Sequence, residues 1–341
     1  MSHANNFNLL RFVAATMVLF SHCWPLAVVS DTREPLSQLI DVSLGTMAVC
    51  AFFSISGYLV GSSWDRNPRV APFVAARAAR ILPGLFIVLA LTVFVLGPLL
   101  TTLPLGSYFT QADTWTYLLR NLTLMKLQTH IPGVLEGAKL NGSLWTLPYE
   151  VACYCVLLAL ALCGALKRFA IPAILLMALA AFGHTSYSNM PYHLATFWMS
   201  FSAGICLWKW RAPMSGHFVL LLVFVAGLAM HFHLWGSYVL FTQAIALATL
   251  YLALVPAGFV RRFNRFGDYS YGIYIYAWPV QQVVHSVWPT SGVLGMFTVA
   301  FPVTLFCAAL SWRYIESPAL KWVKHVFQRR VGQFQSQPAE T

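Results

Sequence analysis

Ten apolar segments follow one another along this chain, and most are long enough to cross a bilayer as a helix. They run approximately over 8–30, 43–62, 82–101, 144–164, 169–185, 192–209, 216–234, 236–257, 270–289 and 292–312. In lipid every backbone N–H and C=O must be satisfied within the protein, so such a run of segments commits the chain to a helical bundle. The charge content agrees: 9% of the 341 residues are charged, against roughly a quarter in a soluble domain. The expected fold is all-α and integral to the membrane, a bundle of about ten transmembrane helices. It forms one domain over 1–325, followed by a disordered cytoplasmic tail at 326–341. The first segment has no basic leader and no small-residue cleavage site, so it reads as a retained helix. The seven Cys fall in or beside apolar segments without paired zinc spacing. They read as small packing residues, with no disulfide framework and no metal site.

Ten spans put both ends of the chain on one side. Of the 21 Lys and Arg, 17 fall on that side, among them Arg11, Arg66, Arg77, Arg80, Lys209, Arg262 and Arg313. The other side holds Arg33, Arg120, Lys126 and Lys139. Lys and Arg of short loops stay in the cytoplasm, so both termini are expected there. The net charge of +11 is then topological and calls for no nucleic-acid partner. Segment 102–143, between the third and fourth spans, becomes an external loop able to shape a lid or an acceptor surface.

Polar residues inside the spans are the candidates for chemistry, because burial in lipid makes them expensive. Arg11 and His22 lie eleven positions apart in NLLRFVAATMVLFSHCWPLA. Eleven helical steps return a side chain to within about 20° of its face and climb roughly 16 Å. One helix face therefore carries a cation near the inner surface and an imidazole toward the outer half. A snorkelling Arg and a packed His are the bland alternative. Arg77 and Arg80 share a face where a helix enters the membrane. Two guanidinium forks there suit phosphates, and they equally suit a positive-inside anchor. Pro83 is expected to kink that helix.

Glu150 is the only acid of the fourth segment, NGSLWTLPYEVACYCVLLALAL. Ser143, Glu150 and Tyr154, at i, i+7 and i+11, form one helical stripe, and Pro148 is expected to break the early ladder. Glu150 lies at a depth comparable to His22, which is its most economical partner. An unrelated interhelical hydrogen bond is the alternative. Ser143, Trp145, Tyr154, Tyr271 and Tyr274 are candidate site-lining or acceptor-binding residues, although tyrosines also form interfacial belts. Pro279 and Gln281 break or polarise the ninth span. Arg313 and Glu316, at i and i+3, read as a helix-end ion pair.

Together these pieces resemble the acyltransferase-3 family of integral membrane proteins. The resemblance runs along nearly the whole chain, through NLLRFVAATMVLFSH, FFSISGYLVG, RAARILPG, NGSLWTLPYEVACY, FGDYSYGIYIYAWPVQ and RYIESP. Each piece alone is loose, and six in order are specific. One position departs from the pattern. Many members carry a His before the aromatic-Pro pair of the ninth span, where this chain has Ala277 before Trp278-Pro279. The chain matches the stand-alone form, without a fused extracytoplasmic domain.

The resemblance implies transfer of an acyl group, often acetyl, from cytoplasmic acyl-CoA to a hydroxyl of an extracytoplasmic glycan or lipid-linked sugar. It implies a multi-pass protein of the bacterial inner membrane, with acyl-CoA, the glycan acceptor and membrane lipids as partners. Acetyl-CoA serves as a co-substrate and no cofactor is bound. By position, His22, Glu150 and Arg11 would carry catalysis, and Arg77 and Arg80 would hold the CoA phosphates. A transporter or flippase of a lipid-linked sugar or anion would use the same buried charges, and a non-catalytic sensor is a third reading.

Overall fold

The computed structural model describes residues 5–27, 33–168, 190–210 and 213–335. Its helices are α1 (Phe7–Ala27), α2 (Pro35–Ile40), α3 (Leu44–Arg66), α4 (Val70–Leu100, through a π-turn at Thr92–Leu96), α5 (Leu105–Thr110), α6 (Ala112–Thr123) and α7 (Leu147–Leu162). After these come α8 (Met190–Trp210), α9 (Gly216–His231), α10 (Ser237–Leu254), α11 (Ser270–Val287), α12 (Gly292–Ser311) and α13 (Ser317–Gln335). The described residues form no named strand, only an isolated bridge between Thr101 and Val134.

Helix occupies each of the apolar segments that fall within the described residues. The fifth, 169–185, lies outside them. Among the described residues six helical stretches are long and apolar enough to cross a membrane: α1, α3, α4, α7 with its leading turn, α10, and α12 running on into α13. The expected ten is not reached by that measure. The helices that fall short do so for different reasons. α9 is short, whereas α8 and α11 interleave Trp, Tyr, Ser and Gln with apolar residues. In α11 those polar positions face inward, since Ser270, Tyr271, Tyr274, Gln281 and Gln282 are all buried.

α11 is the axis of the site, packed against α1, α4 and α12, while α3 lies between α1 and α8. The α3–α8 crossing is close because glycines meet there. A Cβ on Gly57 would strike the Phe201 backbone, and one on Gly204 would strike the Ser54 carbonyl.

Two sequence expectations change at this level. Segment 102–143 is not a simple external loop. Trp115 of α6 meets Phe94 near the far end of α4, with ring centroids 5.9 Å apart. At the other end of α6, Leu122, Thr123 and Leu124 share a groove with Arg77, Ala78 and Ile81 of α4. The segment therefore runs back along α4 as a re-entrant helix, and returns to the Thr101–Val134 bridge. Its polar residues hid this from a hydropathy count. The tail also differs from expectation, since α13 continues as helix to Gln335, beyond the boundary set at 325.

Candidate active site

Pro279 organises the outer half of the site. A proline has no N–H, so the carbonyl four residues earlier, on Ile275, loses its helical donor. Asn141 Nδ2 donates to that carbonyl at 2.9 Å. The Asn141 Oδ1 accepts from the Ser143 N–H at 3.0 Å and caps a 3-10 turn, Gly142–Thr146. The turn is thereby fastened to α11. Gly142 then lies against the Trp278 indole so closely that a Cβ there would sit 2.8 Å from the ring. Trp278 Nε1 donates to the Lys139 carbonyl at 2.8 Å, and its ring meets the His22 imidazole edge-on at 4.8 Å between centroids. Gln281 Nε2 donates to the Leu19 carbonyl at 2.9 Å and ties α11 to α1 beside His22. Ala277, where the family pattern has His, is fully buried among apolar neighbours.

His22 lines an outer cavity of about 580 Å³, together with Trp145, Tyr192, His193, Trp235 and Tyr274. Its Nδ1 is buried without a hydrogen-bond partner among the described residues. A smaller inner void of about 50 Å³ is lined by Arg11, Phe52, Ser56, Thr146, Glu150 and Tyr271. Val49 and Tyr274 line both spaces and stand between them. Tyr274 Oη is held by Thr146 Oγ1 at 2.6 Å.

The expected pairing of His22 with Glu150 is not what the structure shows. Glu150 accepts a hydrogen bond from Tyr154 Oη, one turn along its own helix, and Ser56 Oγ lies 3.2 Å from the same hydroxyl. Glu150 shares the inner void with Arg11, while His22 lines the outer cavity. Equal depth on two helices does not make two side chains face each other. The expected stripe is also shorter. Ser143 stands in the 3-10 turn before α7, buried and with an Oγ that has no partner among the described residues, so only Glu150 and Tyr154 share the helix face. Pro148 breaks no ladder, because it occupies the first turn of α7, where no N–H is required. Pro83 lies inside an uninterrupted α4.

The inner end holds a cluster the sequence did not reveal. Arg80 Nη2 donates to Asp268 Oδ2 at 2.7 Å, and Arg11 Nη1 lies 3.4 Å from the same oxygen. Ser270 completes the carboxylate through its hydroxyl and its N–H. Burial raises the Asp268 carboxyl, and the Arg11 and Arg80 charges outweigh it, holding the group below the usual carboxylate range. Arg80 Nη1 is also 4.0 Å from Glu316, which takes a hydrogen bond from Ser311 at 2.9 Å. Glu316 is thus an inward-facing buried acid and not the expected partner of Arg313, whose guanidinium lies over Tyr314. Arg77 does not join this cluster. It stacks on the Tyr154 ring at 5.7 Å in the groove beside α6, and its Nε has no partner among the described residues. Glu34, also missed, is buried beside the outer cavity and accepts from Ser21 Oγ at 2.6 Å and from the Leu44 N–H at 2.7 Å.

Fold and site define a polytopic helical membrane protein with charged and imidazole groups in two adjacent spaces. A family profile described as "Acyltransferase domain" matches residues 5–313. An "O-acetyl transferase" of Shigella phage Sf6 is 32% identical over 331 residues, covering 93% of this chain and 96% of its own length. "Nodulation protein 10" of Rhizobium leguminosarum bv. viciae is 31% identical over 366 residues, covering 97% of each. "Acyltransferase MdmB" of Streptomyces mycarofaciens is 29% identical over 148 residues, covering 42% of this chain and 36% of its own. No solved structure matches the chain. The chain belongs to the acyltransferase-3 family of membrane acyltransferases.

Proposed function

We propose that this protein is an O-acetyltransferase of the bacterial inner membrane, with both termini cytoplasmic. It takes an acetyl group from cytoplasmic acetyl-CoA and passes it to a hydroxyl of a cell-surface polysaccharide or its lipid-linked precursor. One observation carries this reading. The inner void holding Arg11 and the outer cavity holding His22 lie back to back, with Val49 and Tyr274 in the walls of both. A donor and an acceptor from opposite sides of a membrane need two spaces that approach each other in this way. The inner void of about 50 Å³ equals the space of a few waters, which suits a two-carbon acyl group on its thioester. The aromatic walls of the outer cavity suit the apolar faces of a sugar ring. The phage relative bears the name O-acetyl transferase.

In this mechanism the acceptor oxygen attacks the thioester carbonyl carbon while a His22 ring nitrogen takes its proton. The carbon–sulfur bond then breaks, and the departing thiolate of CoA receives the proton that His22 took, which returns the imidazole to its neutral form. An unpartnered imidazole beside Trp278 is free to accept that proton, because no protein hydrogen bond must first be given up at Nδ1. Arg11, held by Asp268, and Glu150 place one positive and one negative group along the thioester's path.

The test is labelled acetyl incorporation from acetyl-CoA into isolated envelope glycan. His22→Ala is expected to lose at least 10²-fold, the range of a positioned acid–base group, while membrane insertion and acetyl-CoA binding persist. Near-parental incorporation by a well-expressed His22→Ala protein would remove the base from this mechanism.

A further inference from the structure

We propose that Asp268 is a positioning residue that holds Arg11 and Arg80 at the inner end of the site, and that the two arginines of the Arg-x2-Arg pair do different work. Arg80 is the fixed partner of Asp268 and Glu316. Arg77 is the guanidinium left to meet the phosphates of an anionic donor. This rests on the acyl-CoA reading above for the donor and stands on separate geometry for the cluster.

Charge balance is the first ground. Arg11, Arg80, Asp268 and Glu316 bring two positive and two negative groups within 4.0 Å contacts. All four are largely withdrawn from solvent, with side-chain exposures between 1% and 19%. A guanidinium flanked by two buried carboxylates offers little net field to a phosphate. Recruiting it would require breaking a buried ion pair and leaving a carboxylate unpaired, which is costly. Arg77 sits three residues away in the opposite condition. Its contact is the face of Tyr154, it has no ion pair among the described residues, and its Nε is buried and unsatisfied.

Connectivity is the second ground. Asp268 immediately precedes α11, while Arg11 lies on α1, Arg80 on α4, and Glu316 at the π-turn that leads into α13. One carboxylate therefore sets the relation of α1, α4 and α11, of which α1 and α11 line the inner void. Tyr271 continues the link, since Arg80 lies over its ring at 5.7 Å and its hydroxyl donates to the Ile81 carbonyl at 2.7 Å. Losing Asp268 would free the Arg11 guanidinium at the void where the donor carbonyl passes. The reaction would suffer without the donor's phosphates losing a contact.

The full chain in lipid nanodiscs tests the division, with acetyl-CoA as the probe. Arg77→Ala should weaken acetyl-CoA binding about tenfold or more and flatten its salt dependence. Arg80→Ala and Asp268→Asn should shift that affinity less than threefold and lower the turnover of acetyl incorporation at saturating donor at least tenfold, with Asp268→Glu recovering part of it. Arg80→Ala and Asp268→Asn together should be hardly worse than either alone, whereas Arg77→Ala with Asp268→Asn should multiply. Thermal unfolding gives a readout that needs no donor. Arg80→Ala and Asp268→Asn should lower the midpoint non-additively, and Arg77→Ala should leave it nearly unchanged. Equal loss of acetyl-CoA affinity in the two arginine variants, or independent effects of Arg80 and Asp268, would overturn the division. A parent protein that binds no acetyl-CoA yet shows the expected unfolding pattern would instead overturn the donor reading and leave the Asp268 clamp standing.

Discussion

A carboxylate within a membrane needs company, and Glu150 has two kinds. Tyr154 gives it a hydrogen bond from the next turn of α7, and Arg11 shares its void from α1. Hydrogen bonds to charged groups are worth roughly 1.5–3 kcal/mol, so Glu150→Gln is expected to lower acetyl incorporation about 10- to 100-fold with little change in membrane insertion. Tyr154→Phe removes only the donor and should cost about tenfold or less. The double variant should match Glu150→Gln, because the hydroxyl then has no charge left to stabilise. Multiplying losses in that assay would show that the two act separately. The Glu150–Tyr154 pair was legible in the sequence because i, i+4 spacing fixes both depth and azimuth on one helix. The Glu150–His22 pairing was not, since depth alone says nothing of how two helices are rotated. Asp268 escaped notice because it precedes its span, and a search for acids within apolar segments passes over it. Glu316 was misassigned for a different reason. The π-turn at Trp312–Glu316 widens the helix and turns that residue away from the face its spacing implies.

Helices in this bundle are fastened where their own ladders fail. The proline at 279 leaves the Ile275 carbonyl open, and Asn141 closes it from another element. Asn141 is buried, so Asn141→Ala leaves that carbonyl unsatisfied at a cost of about 1–3 kcal/mol. The variant should melt earlier in detergent and lose acetyl incorporation, because the turn under Trp278 and His22 comes loose. Asn141→Asp should resemble Ala, since a carboxylate cannot donate; parental melting by the Asp variant would sink the assignment of the amide as the donor. The α3–α8 crossing depends on size instead of hydrogen bonding. Gly204→Val places branched atoms against the Ser54 carbonyl and is expected to abolish accumulation of folded protein, read by size-exclusion profile. The sequence showed Pro279 as a break and Gly57 and Gly204 as small residues, but not their partners, which lie far away along the chain.

Across the whole molecule, charge sorts by end. The Lys209–Asp65 pair at 2.6 Å and the Arg11–Arg80–Asp268–Glu316 cluster draw their cations from the larger set of 17 in the sequence count, and Arg33–Asp41 at 3.3 Å draws on the smaller set of four. In the ten-span order expected from the sequence each of these acids falls at the same end as its cation, while six of the described helical stretches are long and apolar enough to cross a membrane. The exception is the re-entrant segment, whose tip the hydropathy pattern left at the outer surface. Thiol labelling of intact cells with an impermeant reagent, in a background lacking Cys155 and Cys163, separates these features. A cysteine at Glu136, exposed near the start of the turn to α7, is expected to react from outside. One at Arg262 should react only after the membrane is opened. A cysteine at Met125 is 89% exposed on the protein surface, yet it lies at the end of α6 beside the Arg77 groove. Facing lipid, its thiol should stay un-ionised and unlabelled from either aqueous side. Labelling of position 125 as fast as position 136 would return the segment to the outer surface. Labelling of position 262 in intact cells would reverse the bundle and place Arg77 on the side away from cytoplasmic acetyl-CoA.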